Sequence, residues 1–157
     1  MRKSRTMSVL LALLLVAAGA AIAGAADRYA AELTGVGGSP GGGNATFELA
    51  KGGAALHYKL TVSNVTDITM VHIHIAPPGK EGPPAVWLFP SGPPPTLKEG
   101  KFEGKLAEGD ITAENLIGDL KGKPLSALIE KFDAGEAYVN VHTKGKPGGE
   151  ARGQIHK

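Results

Sequence analysis

Residues 54 to 64 read AALHYKLTVSN, in which Leu56, Tyr58, Leu60 and Val62 alternate with His57, Lys59, Thr61 and Ser63. A period of two gathers the four apolar side chains on one face of an extended strand but scatters them around a helix, so the segment predicts a strand with one buried and one wet face. Shorter runs of the same kind precede it. Tyr29 to Val36 (YAAELTGV) and Asn44 to Ala50 (NATFELA) flank SPGGG, a Pro and Gly turn signal, and predict a hairpin.

Further along, Val71 to Ile75 (VHIHI), Ala85 to Phe89 (AVWLF) and Lys101 to Leu106 supply more strand-length segments. Eight of the 11 prolines fall between Pro77 and Pro95, which predicts stiff connections around the second of these. Thr112 to Leu120 (TAENLIGDL) and Leu125 to Phe132 (LSALIEKF) are predicted helical. In the latter, Leu125, Leu128, Ile129 and Phe132 follow the i, i+3, i+4, i+7 spacing, and Gly135 is a suitable stop. Glu136 to Thr143 and Glu150 to His156, joined by KGKPGG, predict a C-terminal hairpin with one polar face. Seven or so short strands, with one or two short helices inserted before the last hairpin, predict an all-β antiparallel sandwich.

The first 26 residues stand apart. Arg2, Lys3 and Arg5 precede an apolar run from Val9 to Ala23, and Ala21-Ile22-Ala23 and Ala23-Gly24-Ala25 are small-x-small cleavage patterns, so residues 1–26 read as a secretory signal peptide. An uncleaved segment serving as a membrane anchor is the alternative. Residues 27–157 then form one exported domain, secreted or periplasmic. Three of the 17 Lys and Arg belong to the leader, leaving 14 against 15 Asp and Glu, and no basic patch with interleaved aromatics occurs; nucleic acid is not expected as a partner. With no cysteine, the domain must be held by its core, alone or with the help of a metal.

Five histidines are present, and two of them, His72 and His74, lie two residues apart in VHIHI. On a strand they share a face, opposite Val71, Ile73 and Ile75. His142 occupies the matching polar face of the 136–143 run, and imidazole is the usual nitrogen ligand of copper or zinc, so His72, His74 and His142 are the candidate metal ligands. An exposed polar strand face is the competing explanation. His57 is a candidate fourth ligand or a surface histidine, and His156, beside the terminus, is a poor one. Arg152 either attracts an anion or pairs with Glu136 or Glu150, while Asn140 and Tyr138 are candidates to hydrogen-bond around the site. No catalytic residues are assigned: no Ser/His/Asp arrangement, phosphate-cradling loop or carboxylate pair stands out.

AELTG at 31–35, HIH with its Gly-rich sequel at 72–82, AYVNVHT at 137–143 and PGGEARGQI at 147–155 resemble the CHRD family, the domain repeated in chordin and found singly in exported microbial proteins. The resemblance spans residues 28 to 157 and implies an extracellular β-rich domain. More distantly, the succession LTGVGGSPGGGNATFELA, ALHYKLTVSNVT, VHIHI and VHTKGKPGGEARGQI is similar to copper-zinc superoxide dismutase. This implies a Greek-key sandwich, superoxide-dismutase-like or immunoglobulin-like, with His72, His74 and His142 as copper ligands and Arg152 as an anion-guiding arginine. The stretch APPGKEGPPAVWLFPSGPPP, where the dismutase keeps its zinc ligands, has neither histidine nor aspartate, so zinc is not supported.

Together these observations predict an exported CHRD-type domain that binds or handles copper through three histidines. Two alternatives remain open at the level of sequence: a metal-free extracellular interaction domain that engages an envelope or extracellular protein, and a weak superoxide dismutase-like enzyme.

Overall fold

The computed structural model describes residues 27–157, and the signal peptide expected at 1–26 lies outside the described residues. The Gly and Pro punctuation divides this region into seven strands and one short helix: β1 (Arg28–Gly35), β2 (Gly42–Leu49), β3 (Leu56–Ile75), β4 (Pro84–Phe89), β5 (Lys98–Ile111), α1 (Ser126–Asp133), β6 (Ala137–Thr143) and β7 (Ala151–Gln154). All pairings are antiparallel. β1 pairs with β2 and, at its end, with β7. β7 pairs with β6, β6 with the second half of β3, and the first half of β3 returns to β2. The sheet thus closes on itself as a five-stranded barrel, with β4 and β5 added along β3.

The sequence led us to expect separate strands at 54–64 and 71–75. They are one strand of 20 residues, β3. Asn64 and Asp67 sit in the intervening segment with φ of 52° and 55°, a left-handed conformation that these two residue types tolerate better than most. The pairing with β5 shifts register on either side of them, between Val62 and Val65 and between Thr66 and Ile68. Such irregularities bend a strand and reset which residues face inward without ending it. Core positions accordingly pass from Leu56, Tyr58, Leu60 and Val62 to Val65, Ile68, Val71 and Ile73.

The expected helix at 112–120 is instead two 3₁₀ turns, Ala113–Asn115 and Gly118–Leu120. The first is closed by the Thr112 backbone N–H donating to Asn115 Oδ1 at 2.8 Å, and Gly118 adopts a φ of 58°, which no α-helix accommodates. The second expected helix is α1. It buries Leu128 and Phe132, and the Phe132 ring meets Tyr29 and Phe47 edge-on, with centroids 5.2 and 5.3 Å away. About two amphipathic turns therefore pack on side chains of β1 and β2, and each fully buried ring or aliphatic chain there contributes about 1.5–3 kcal/mol. Among the described residues no helix is long and apolar enough to cross a membrane.

Candidate metal centre

From Met70 to Ile75, β3 lies beside Ala137 to His142 of β6 in unbroken register, with Met70 opposite His142, His72 opposite Asn140 and His74 opposite Tyr138; the one shift falls between Ile68 and Met70. Val71, Ile73, Val139 and Val141 enter the core from one face of this pair. The other face carries the polar set, and it is not the exposed polar face that was the alternative to a metal site. His72, His74, Tyr138, Asn140 and His142 are all between 2% and 8% exposed. Two loops cover them. The 76–83 loop is tied down by Gln154 Nε2, which donates to Ala76 O at 3.1 Å, and by the Gly82 N–H, which donates to Tyr138 Oη at 3.3 Å. The 144–150 loop accepts a bond from Asn140 Nδ2 at Gly148 O, at 3.1 Å.

Each loop also fixes a histidine. His74 Nδ1 lies 2.8 Å from Gly82 O and His142 Nδ1 lies 2.7 Å from Pro147 O. A carbonyl only accepts, so both Nδ1 atoms carry the hydrogen and both Nε2 atoms of the neutral rings are bare lone pairs. Those two Nε2 atoms face each other at 3.3 Å. Neither can donate to the other, so the contact is repulsive unless a cation lies between them. The separation is close to the ~3.3 Å expected for two nitrogens bound to one tetrahedral ion about 2 Å from each. His72 completes a triangle, its ring centroid 5.6 Å from His74 and 5.2 Å from His142. One candidate ligand atom from each of the three lies within 4.8 Å of the others. The ring of His72 is braced edge-on against Trp87 of β4 at 4.2 Å, and that of His74 stacks on Tyr138 at 5.1 Å.

Electrostatics keep these imidazoles neutral. Burial is the main cause for all three; it pushes His72 down to about 4, helped by the neighbouring His142 and His74. His74 and His142 are likewise lowered by burial, against the opposing effect of their carbonyl bonds, with Arg152 adding a further downward push. Neutral imidazole is the ligating form.

Among the described residues, three buried side-chain nitrogen or oxygen atoms have no hydrogen-bond partner: His72 Nε2, Asn140 Oδ1 and Arg152 Nε. They form one cross-strand row, since His72 pairs with Asn140 and Asn140 with Arg152. Unpartnered buried polar atoms are rare and costly, and three in a single row mark a place built for something polar. Arg152 does not pair with Glu136 or Glu150, as its hairpin position had suggested, but with Glu81 of the covering loop at 3.0 Å. His57 is not brought to the cluster. It lies exposed on the first half of β3, with Nδ1 3.0 Å from Asp110 and Nε2 3.5 Å from Glu108, both on β5.

Trp87 and the carbonyls of Gly82 and Pro147 were not legible as parts of the site. The one available signal was that VHIHI and VHT each run into a Pro- and Gly-rich loop, the kind that turns a backbone carbonyl toward its own strand. Gly82 also answers to space, because a Cβ there would fall 1.9 Å from Ile75 O.

An antiparallel β-barrel with a buried three-imidazole cluster on its covered outer face is thus an all-β domain with a candidate transition-metal site. The chain belongs to the CHRD family, whose domain model matches residues 29–155. No curated protein and no solved structure matches it.

Proposed function

We propose that this CHRD-domain protein is exported, secreted or periplasmic, and binds a copper ion through His72, His74 and His142, serving as a copper-binding or copper-handling module. The carrying observation is the 3.3 Å approach of two Nε2 atoms whose rings both give their Nδ1 hydrogen to a loop carbonyl. Copper as the occupant is supported by the all-imidazole donor set and by the similarity of motif order to copper-zinc superoxide dismutase. The leader at 1–26 supports export of the domain at 27–157. The Greek-key sandwich belongs to the same proposal: β3 lends its first half to β2 and β5 and its second half to β6 and β4, as a strand shared between two layers does.

Bound copper would supply Lewis acidity and a one-electron couple. Around it, Gly82 and Pro147 orient the rings, the two loops exclude water, and Arg152 places a guanidinium at the edge of the row. We assign binding rather than turnover, because the stretch after VHIHI, where the dismutase keeps its remaining ligands, holds neither histidine nor aspartate. Equilibrium dialysis against copper tests the assignment. We expect one ion per chain and none in a His72→Ala/His74→Ala/His142→Ala variant; no uptake by the native protein, or unchanged uptake by the variant, overturns it. Superoxide consumption by the copper-loaded protein above the free-copper background would convert the module into an enzyme.

A further inference from the structure

The alternation that sends Val71 and Ile73 into the core and His72 and His74 to the opposite face places Met70 on the histidine face as well. Met70 is the register partner of His142, and facing Cβ atoms in such a pair lie about 4.5–5.5 Å apart. His72 is the next residue along that face, roughly 7 Å away along the strand. Met70 is half-buried, yet it is not among the apolar side chains packed on the core, unlike Ile75 and Phe89. An unbranched thioether with three rotatable bonds, seated beside two candidate ligands and free of the core, has the reach to join them. The buried Nε2 of His72 has no protein partner, so the donor set on this face is incomplete without an ion.

We propose that Met70 supplies a thioether sulfur as a fourth donor to the three-histidine centre, and that the ion it selects is monovalent copper. This assignment rests on the three-histidine proposal above. A soft, uncharged sulfur suits Cu(I) and adds little for Zn(II). The charge balance points the same way. Three neutral imidazoles and a thioether bring no negative charge, and Glu81, the carboxylate of the covering loop, is engaged by Arg152. A monovalent ion leaves one buried positive charge at the centre and a divalent ion leaves two, beside a guanidinium, at a much larger desolvation cost.

Anaerobic titration of the purified protein with Cu(I) against a chromophoric chelator, and separately with Zn(II), tests this with Met70→Leu, which keeps volume and apolar character. The expected result is a Cu(I) affinity lowered by about tenfold or more with Zn(II) affinity within about threefold of native. Unchanged Cu(I) affinity, or equal losses for both ions, overturns the role of Met70. The His72→Ala variant separates the two proposals: Cu(I) binding lost in His72→Ala but intact in Met70→Leu leaves the three-histidine site standing and removes Met70. Failure of the native protein to take up either ion removes both. X-ray absorption of the native Cu(I) form gives a readout independent of any variant's folding, and the absence of a sulfur scatterer there overturns the proposal by itself.

Discussion

His74 and His142 are 68 residues apart in the chain, yet their Nε2 atoms meet at 3.3 Å while their Nδ1 hydrogens point outward to Gly82 O and Pro147 O. Two loops thus set the tautomers of two strands, and the metal-free protein holds a pair of opposed lone pairs in a buried site.

If the folded cluster binds copper as proposed, an ion that the unfolded chain has no cluster to hold, copper should raise thermal stability. At free copper about 100 times Kd the gain is about 2.7 kcal/mol, or roughly 10 °C for a domain of this size. Thermal scans with and without copper, and after chelator treatment, check this, and a midpoint that ignores copper contradicts the site.

Acid should destabilise the metal-free protein. The folded state holds His72 near 4, against an ordinary histidine value of 6.5 in the unfolded chain, so protonation favours unfolding. Stability is full above about pH 6.5 and falls by about 1.4 kcal/mol per unit as pH drops toward 4, with His74 and His142 acting in the same direction. Urea unfolding between pH 7.5 and 4.5 measures the slope, and a His72→Gln variant should flatten it.

Gly149 has a φ of 133°, and a Cβ there would lie 2.3 Å from Asn140 Oδ1. Gly149→Ala should cost at least about 2 kcal/mol through backbone strain and overpacking, and should displace Asn140 from Gly148 O, weakening metal uptake. Gly148→Ala is the control, since a Cβ there meets nothing within 4 Å. Denaturation of the two variants side by side separates contact at Asn140 from a general intolerance of the loop.

Phe132→Ala should remove about 3–5 kcal/mol by emptying the space between Tyr29 and Phe47. The histidine face lies on other strands, so metal stoichiometry at low temperature should remain that of the native protein. A lost ion in a still-folded variant would show that α1 and the site are coupled.

His57→Ala should leave copper uptake unchanged and alter stability by no more than about 1 kcal/mol, because its carboxylate partners are on an exposed strand pair. Dialysis on the variant checks it, and a loss of uptake would reinstate His57 as a ligand.

Local patterns were enough for much of this. Period-two alternation located the strands, the i, i+4 spacing of Leu128 and Phe132 located α1, and the shared faces of VHIHI and VHT singled out the three histidines, because each of these signals depends only on neighbours a few residues away. The same locality explains the misses. The 54–64 and 71–75 runs read as two strands, yet tertiary pairing on both sides of β3 carries one strand through Asn64 and Asp67. The convergence of three imidazoles, the burial of a face written in polar residues, the Arg152–Glu81 pair and the carbonyls at Gly82 and Pro147 depend on which strands pair and where two loops fold back. Pairing and loop placement are decided by packing summed over the whole chain, so only the folded barrel could turn three histidines on two strands into one site.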